Sequence, residues 1–263
     1  MSDYFKNKVC LITGSARGIG KAIALALGGR GAKVAISDVL DQTLDEARAE
    51  LEAHGVEVLA QRADVTKADD CAALVQAALA KFGRLDVVVN NAGISIVSNF
   101  EDCTPEACRK LIDVNVLGSI YLSLAALDAL KQSRGHLLFI SSVSGIRAIP
   151  GGAVYSASKA ALRSLAESLR LELAPSGVHV GVISPGFTPT EASKTVMSGD
   201  GSARPIDRPA HDTPQGVAKE TLRLIEKRQR ERVLTPLGKL TSVMQRLSPE
   251  LVDIVLRGRE LKN

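Results

Sequence analysis

Tyr155 and Lys159 stand four residues apart in the stretch AVYSASKAAL, residues 153–162. On a helix that spacing puts both side chains on one face. A phenol titrates near pH 10 and must release its proton near neutrality to do acid–base work, a shift of roughly 3–4 kcal/mol. An ammonium group one turn away favours the phenolate. Most Tyr–Lys pairs of this kind are solvated surface, with the lysine stem lying across the ring, so other residues must decide between the two readings.

A second group of residues points to a phosphate. TGSARGIG (13–20) carries Gly14, Gly18 and Gly20 between an apolar β-branched run and a helical pattern. Glycines there let the backbone turn tightly and approach a pyrophosphate, and the first amides of the following helix bind the anion. The spacing, G-x-x-x-G-x-G, differs from the commoner G-x-G-x-x-G. Asp38 closes the next apolar run, about 20 residues on, where a carboxylate accepts hydrogen bonds from the adenosine ribose. It also repels a 2′-phosphate: at about 4 Å and an effective dielectric near 20, each unit charge pair is worth roughly 4 kcal/mol before screening. Arg17 argues the other way, but Val39 and Leu40 supply no second cation. NAD is therefore favoured over NADP. The ordinary reading of Asp38 is a strand-end cap.

These residues need a frame. Six short apolar runs, 8–13, 33–37, 56–61, 85–90, 136–141 and 178–184, read as strands buried on both faces. Helical patterns at 18–29, 41–54, 67–82, 104–132 and 152–174 alternate with them, and Gly31, Gly55, Gly83, Gly135 and Gly177 fall where left-handed C-terminal caps belong. Unbroken alternation predicts a parallel sheet with helices on both sides, with no linker dividing residues 1–263. The pattern loosens after residue 186 into a long loop rich in Gly, Pro, Ser and Thr. A helix at about 214–230, an edge strand at RVLTP (232–236) and a tail beyond about 236 follow.

Composition narrows the function classes. With 45% hydrophobic residues the chain buries a substantial core, and 33 basic against 29 acidic residues leave a dispersed net charge of +4. EKRQRER (226–232) is the nearest approach to a basic stripe, and the chain has no Trp, so nucleic-acid binding is not expected. The N-terminus lacks a signal-peptide pattern. VLGSIYLSLAALDAL fits a buried helix better than a membrane span, since Asp113 and Asn115 precede it and it contains Asp128. Cys10, Cys71, Cys103 and Cys108 form no C-x-x-C and read as reduced thiols. His54, His136, His179 and His211 are scattered, so no metal site is expected. A cytoplasmic protein is the default.

Together TGSARGIG (13–20), NNAG (90–93), NVLG (115–118), SSVSG (141–145), YSASK (155–159) and SPGFTPT (184–190) resemble the short-chain dehydrogenase/reductase family. The resemblance runs over about residues 6–190, with a weaker match through the following helix and edge strand. It implies a doubly wound, Rossmann-type three-layer α/β sandwich with a mainly parallel seven-stranded sheet. It also implies a hydride transfer between NAD(H) and an alcohol or ketone. Tyr155 is then the general acid/base, Lys159 hydrogen-bonds the nicotinamide ribose, and Ser142, 13 residues before Tyr155, holds the substrate oxygen. Asn115 would hold a water in a proton relay behind the lysine. Without the spacing, Ser142 reads as a strand-end hydroxyl bonding local backbone.

The resemblance carries the cofactor contacts over to Gly14, Ser15, Arg17, Gly18, Ile19, Gly20 and Asp38, and to Asp64 and Val65 at the adenine. Asn91, Ala92 and Gly93 match the adenosine side. Pro185, Gly186, Thr188 and Thr190 match the nicotinamide side, although Thr188 stands where the family more often has an aliphatic residue. The runner-up function is an NADP-dependent reductase of 3-oxoacyl thioesters. A non-catalytic nucleotide-binding sensor is disfavoured because all four catalytic residues are present. A serine hydrolase is not supported, for SSVSG lacks G-x-S-x-G. Ile94, Ile96, Val97, Ile146, Ile149 and Met197 point to a hydrophobic substrate, with filling of the core as the competing reason for them. Leu240, Val243, Met244 and Leu247 form a helical stripe in the tail. That tail is expected to pack over the site or join an oligomer interface, ahead of lying on a membrane. A homodimer or homotetramer through the helices of 104–132 and 152–174 is expected.

Overall fold

The computed structural model describes residues 4–189, 195–205 and 210–257. Strands and helices alternate as β1 (Val9–Thr13), α1 (Gly18–Gly28), β2 (Lys33–Ser37), α2 (Asp41–Ala53), β3 (Val58–Ala60), α3 (Ala68–Phe82) and β4 (Val87–Asn90). Then come α4 (Pro105–Ile112), α5 (Gly118–Ser133), β5 (His136–Ile140), α6 (Ala153–Glu172) and β6 (His179–Ser184). The C-terminal third adds β7 (Thr195–Met197), β8 (Ala203–Pro205), α7 (Pro214–Glu226), β9 (Glu231–Val233), α8 (Pro236–Leu247) and α9 (Pro249–Arg257). The main sheet runs β3-β2-β1-β4-β5-β6-β9 with every pair parallel, and β7–β8 is a separate antiparallel ribbon. This is the doubly wound α/β sandwich expected. Strand order reverses between β1 and β4, and a crevice opens beyond the carboxyl ends of the strands at that point.

The continuous apolar character of the strands follows from cover on both faces. In β1, Cys10 and Ile12 point into the layer built with α1, α2 and α7, where Ile23, Leu27 and Leu224 are fully buried. Val9 and Leu11 point into the layer of α3, α5 and α6, with Leu74, Leu122 and Ala166. Pro105–Ser133 is long and apolar enough to span a membrane by length and composition, yet its Leu122, Ala126 and Leu130 pack in this second layer.

Three local expectations change. The helix over 104–132 is not uniform: a π-helical turn, Asp113–Leu117, separates α4 from α5. The extra residue in that turn rotates Asn115 inward, where it is fully buried. Gly135 is not the left-handed cap of α5. Arg134 takes that conformation, with φ 49°. Gly135 is needed for close approach instead, because a Cβ there would lie 2.4 Å from the Asp86 carbonyl oxygen. The loop after residue 186 contains β7, which hydrogen-bonds residues 95–97 through the Met197 amide and carbonyl. Alternation too short to stand out in the sequence becomes a strand once Ser95 and Val97 supply an edge.

Candidate active site

Ser142 lies two residues past the end of β5. Its hydroxyl accepts a hydrogen bond from the Ser144 amide at 3.1 Å, which shapes the turn Val143–Gly145. The chain returns through Gly152 into α6 and presents Tyr155 in its first turn. The Tyr155 phenol lies buried beside the Ser142 side chain. Ser141 donates to the Lys159 carbonyl at 2.8 Å, fastening the strand end to the helix. Lys159 is buried, donates to the Ile140 carbonyl at 2.9 Å, and sits 5.8 Å from the Tyr155 ring centroid. Both residues thus reach one pocket, as their spacing predicts.

Burial pushes the Tyr155 phenol above its ordinary value, and the neighbouring Ser142 hydroxyl works against this. The low-dielectric surroundings of the hydroxyl set this direction.

Asn115 spends its amide on structure. Its Oδ1 accepts from the Ile94 amide at 2.8 Å, and its Nδ2 donates to the Ile94 carbonyl and to Ser158 Oγ, both at 3.0 Å. A Cβ on Gly93 would lie 3.2 Å from Asn115 Oδ1 and 3.3 Å from Lys159 Nζ, so these two polar atoms flank the same glycine. Asn115 sits behind the lysine and ties the segment after β4 to α6.

At the other end, Gly14 takes φ 61°, and Asn91 Nδ2 donates to the Thr13 and Gly14 carbonyls at 2.8 Å each. Helix α1 has neither a side-chain cap nor an acidic residue in its first turn, whereas Thr104, Thr213 and Thr235 cap α4, α7 and α8. Its open amides fit an anion. Asp38 accepts from the Ala16 and Val39 amides at 3.2 and 2.8 Å. Burial raises the Asp64 carboxyl, but two hydrogen bonds from Thr66, with Lys67 and Arg62 nearby, hold it below its ordinary value.

One cavity of about 1850 Å³ joins the two ends. Of the expected residues it is lined by Gly14, Arg17, Gly18, Ile19, Asp38, Asp64, Val65, Asn91, Ala92, Gly93, Ser142, Tyr155, Lys159, Pro185, Gly186 and Thr188. Ser15, Gly20 and Asn115 do not line it. Ser15 is buried with its hydroxyl on the Ile12 carbonyl, and its amide donates to Ser37. A Cβ at Gly20 would lie 2.3 Å from the Gly14 carbonyl oxygen, so that glycine serves helix packing. Thr188 donates to the Gly186 carbonyl at 3.1 Å. Thr190 lies outside the described residues.

Ile94, Ile96, Val97, Ile149 and Met197 line the substrate end, and Ile146 does not. Sequence reasoning missed Arg62 near the adenine end and Glu106, Arg109, Lys110 and Asp113 along the rim of α4. Amphipathic periodicity marks such residues only as solvated face. The tail also contributes, through Leu237, Gly238, Thr241 and Val252. Its predicted stripe points elsewhere: Leu240, Val243 and Leu247 are exposed. Among the described residues no group of three His, Cys, Asp or Glu could hold a metal.

The model of the short chain dehydrogenases matches residues 8–201, and the chain belongs to that family. It is 34% identical to the 11-beta-hydroxysteroid dehydrogenase 1A of Arabidopsis thaliana, over 96% of this chain and 75% of that one. A short chain dehydrogenase/reductase of Burkholderia phymatum in complex with NAD superposes with TM-score 0.85 at 26% identity, covering 96% and 97% of the two chains. An alcohol dehydrogenase of the archaeon Thermococcus sibiricus, complexed with 5-hydroxy-NADP, gives TM-score 0.76 at 32% identity over 88% and 97%.

Proposed function

We propose that the chain is a single-domain enzyme that moves a hydride between NAD(H) and a secondary alcohol or ketone with an apolar body. The observation that carries this reading is the Tyr155–Ser142 hydroxyl pair, in one cavity with the open N-terminus of α1 and with Asp38. Gly14, Gly18 and Ile19 hold the pyrophosphate, Asp38 the adenosine ribose, and Asp64 and Val65 flank the adenine. Lys159 holds the nicotinamide ribose, beside Pro185, Gly186 and Thr188. The dinucleotide supplies the hydride acceptor and a positive ring charge when bound.

Ser142 holds the substrate oxygen, and Tyr155 takes the hydroxyl proton during oxidation or returns it during reduction. Burial alone disfavours phenolate, so ionisation depends on cations brought to the phenol. Asn115 keeps Ile94 and Ser158 in place behind Lys159 and, in this reading, orders the relay water. The apolar lining of Ile94, Ile96, Val97, Ile149 and Met197 supports a hydrophobic substrate. The hydroxysteroid dehydrogenase likeness supports it too. The four free thiols fit a cytoplasmic compartment.

The test is NADH formation from a panel of secondary alcohols. Tyr155→Phe should cost roughly 10²–10⁴-fold in turnover, the usual worth of a general acid/base, while NAD binding measured by calorimetry stays nearly intact. Equal turnover in that variant sinks the assignment.

A further inference from the structure

The α8–α9 hairpin forms one wall of the substrate end, and the segment between Ser142 and Tyr155 forms the facing one. Among the described residues, Arg147 makes the side-chain hydrogen bonds and ion pair that tie these walls. Arg147 is half-buried and lines the cavity. One guanidinium nitrogen donates to Gln245 Oε1 at 3.1 Å in α8, and another forms an ion pair with Asp253 in α9. The hairpin root is fixed separately by packing. A Cβ on Gly238 would lie 2.6 Å from the Val143 side chain, so α8 presses directly on the turn after Ser142. Leu240, Val243, Leu247 and Ile254 face outward and are exposed, so they add no packing toward the body. Among the described residues, the polar ties of the distal part of the hairpin to the body come from Arg147.

We propose that Arg147 is a specificity-determining positioning residue. Through Asp253 and Gln245 it latches the hairpin so that Leu237, Thr241 and Val252 touch the apolar body of the substrate. This rests on the oxidoreductase reading above. A substrate too short to reach the hairpin is indifferent to the latch. A long one loses its contacts when the hairpin swings away, and its KM rises while the chemistry at Tyr155 is untouched.

The test uses Asp253→Ala, which cuts the latch, and Asp253→Glu, which keeps the carboxylate. The probes are secondary alcohols from 2-butanol to 2-decanol with NAD, together with hydrogen exchange of residues 236–257. An exposed ion pair of this kind shifts an equilibrium by up to about fivefold. Asp253→Ala should raise KM for 2-decanol by about that factor relative to 2-butanol, with kcat on 2-butanol unchanged and faster exchange in α8 and α9. Asp253→Glu should restore both. A KM change equal along the series, or unaltered exchange in 236–257, overturns the proposal. If the unmodified enzyme oxidises none of the alcohols, the oxidoreductase reading fails, and the exchange of Asp253→Ala still decides whether the latch exists.

Discussion

Tyr155 illustrates how one residue depends on its surroundings. The one-turn spacing to Lys159 was legible in the sequence; the burial that raises the phenol was not. Asp38 carries the cofactor preference in the same local way. It already accepts three backbone amides, from Ala16, Val39 and Leu40, so its carboxylate is oriented before any ribose arrives. We expect NAD to exceed NADP in kcat/KM by at least about tenfold, since half of the unscreened charge repulsion already gives that factor. Asp38→Asn keeps an acceptor but removes the charge and should narrow the gap. An unchanged ratio in that variant would remove the Asp38 charge from the discrimination, because Arg17 and Arg62, the cations lining the same end, favour a 2′-phosphate rather than oppose it.

At the scale of elements, β5 and β6 bring together two histidines that looked scattered. His136 and His179 are register partners, and their Nδ1 atoms lie 3.0 Å apart. His179 Nε2 meets the Gln229 carbonyl at 2.9 Å, which only accepts, so that nitrogen donates and its Nδ1 accepts from His136. His136 Nε2 then accepts from the Tyr4 hydroxyl at 2.8 Å. This chain requires both rings neutral. Burial first, then the neighbouring ring and the cations Arg228 and Lys8, push His136 down to about 3. Burial, with Arg228 and Arg170, pushes His179 to about 4 despite its bond to Gln229.

The unfolded chain binds protons near the ordinary 6.5, so it holds more protons than the native state as pH falls below that value. Stability should therefore fall from about pH 6.5 toward about pH 4, by up to about 1.4 kcal/mol per pH unit for each ring. Denaturation midpoints across that window should drop more steeply for the native sequence than for a His136→Gln/His179→Asn variant; equal slopes would remove the pair from the acid response.

For the whole molecule, the open question is assembly. Leu124 on α5 and Leu171 on α6 are exposed apolar side chains on the two helices expected to form the interface. They mark the surface on which the homodimer or homotetramer that we propose through these two helices can be tested. Sedimentation should give two or four times the chain mass, and Leu124→Glu/Leu171→Glu should lower it. A monomeric native chain would refute this. The exposed stripe of α8 lies apart from both positions in sequence and belongs to the substrate hairpin, so its surface is separable from the assembly helices by mutation.

The sequence alone determined the order of strands and helices, the glycine turn before α1, and the one-turn spacing of Tyr155 and Lys159; Ser142 entered only through the resemblance to the family. Each of the features so determined rests on short-range geometry, the 3.6 and 2.0 periods and the backbone freedom of glycine, which neighbouring residues carry whatever surrounds them. Only the tertiary structure decided where Asn115 spends its amide, which glycines face the cavity, the contact of His136 with His179, and the bond from Arg147 to Asp253. Those pairings join residues 21 to 106 positions apart. Packing of whole layers sets such distances, and no local pattern in the chain encodes them.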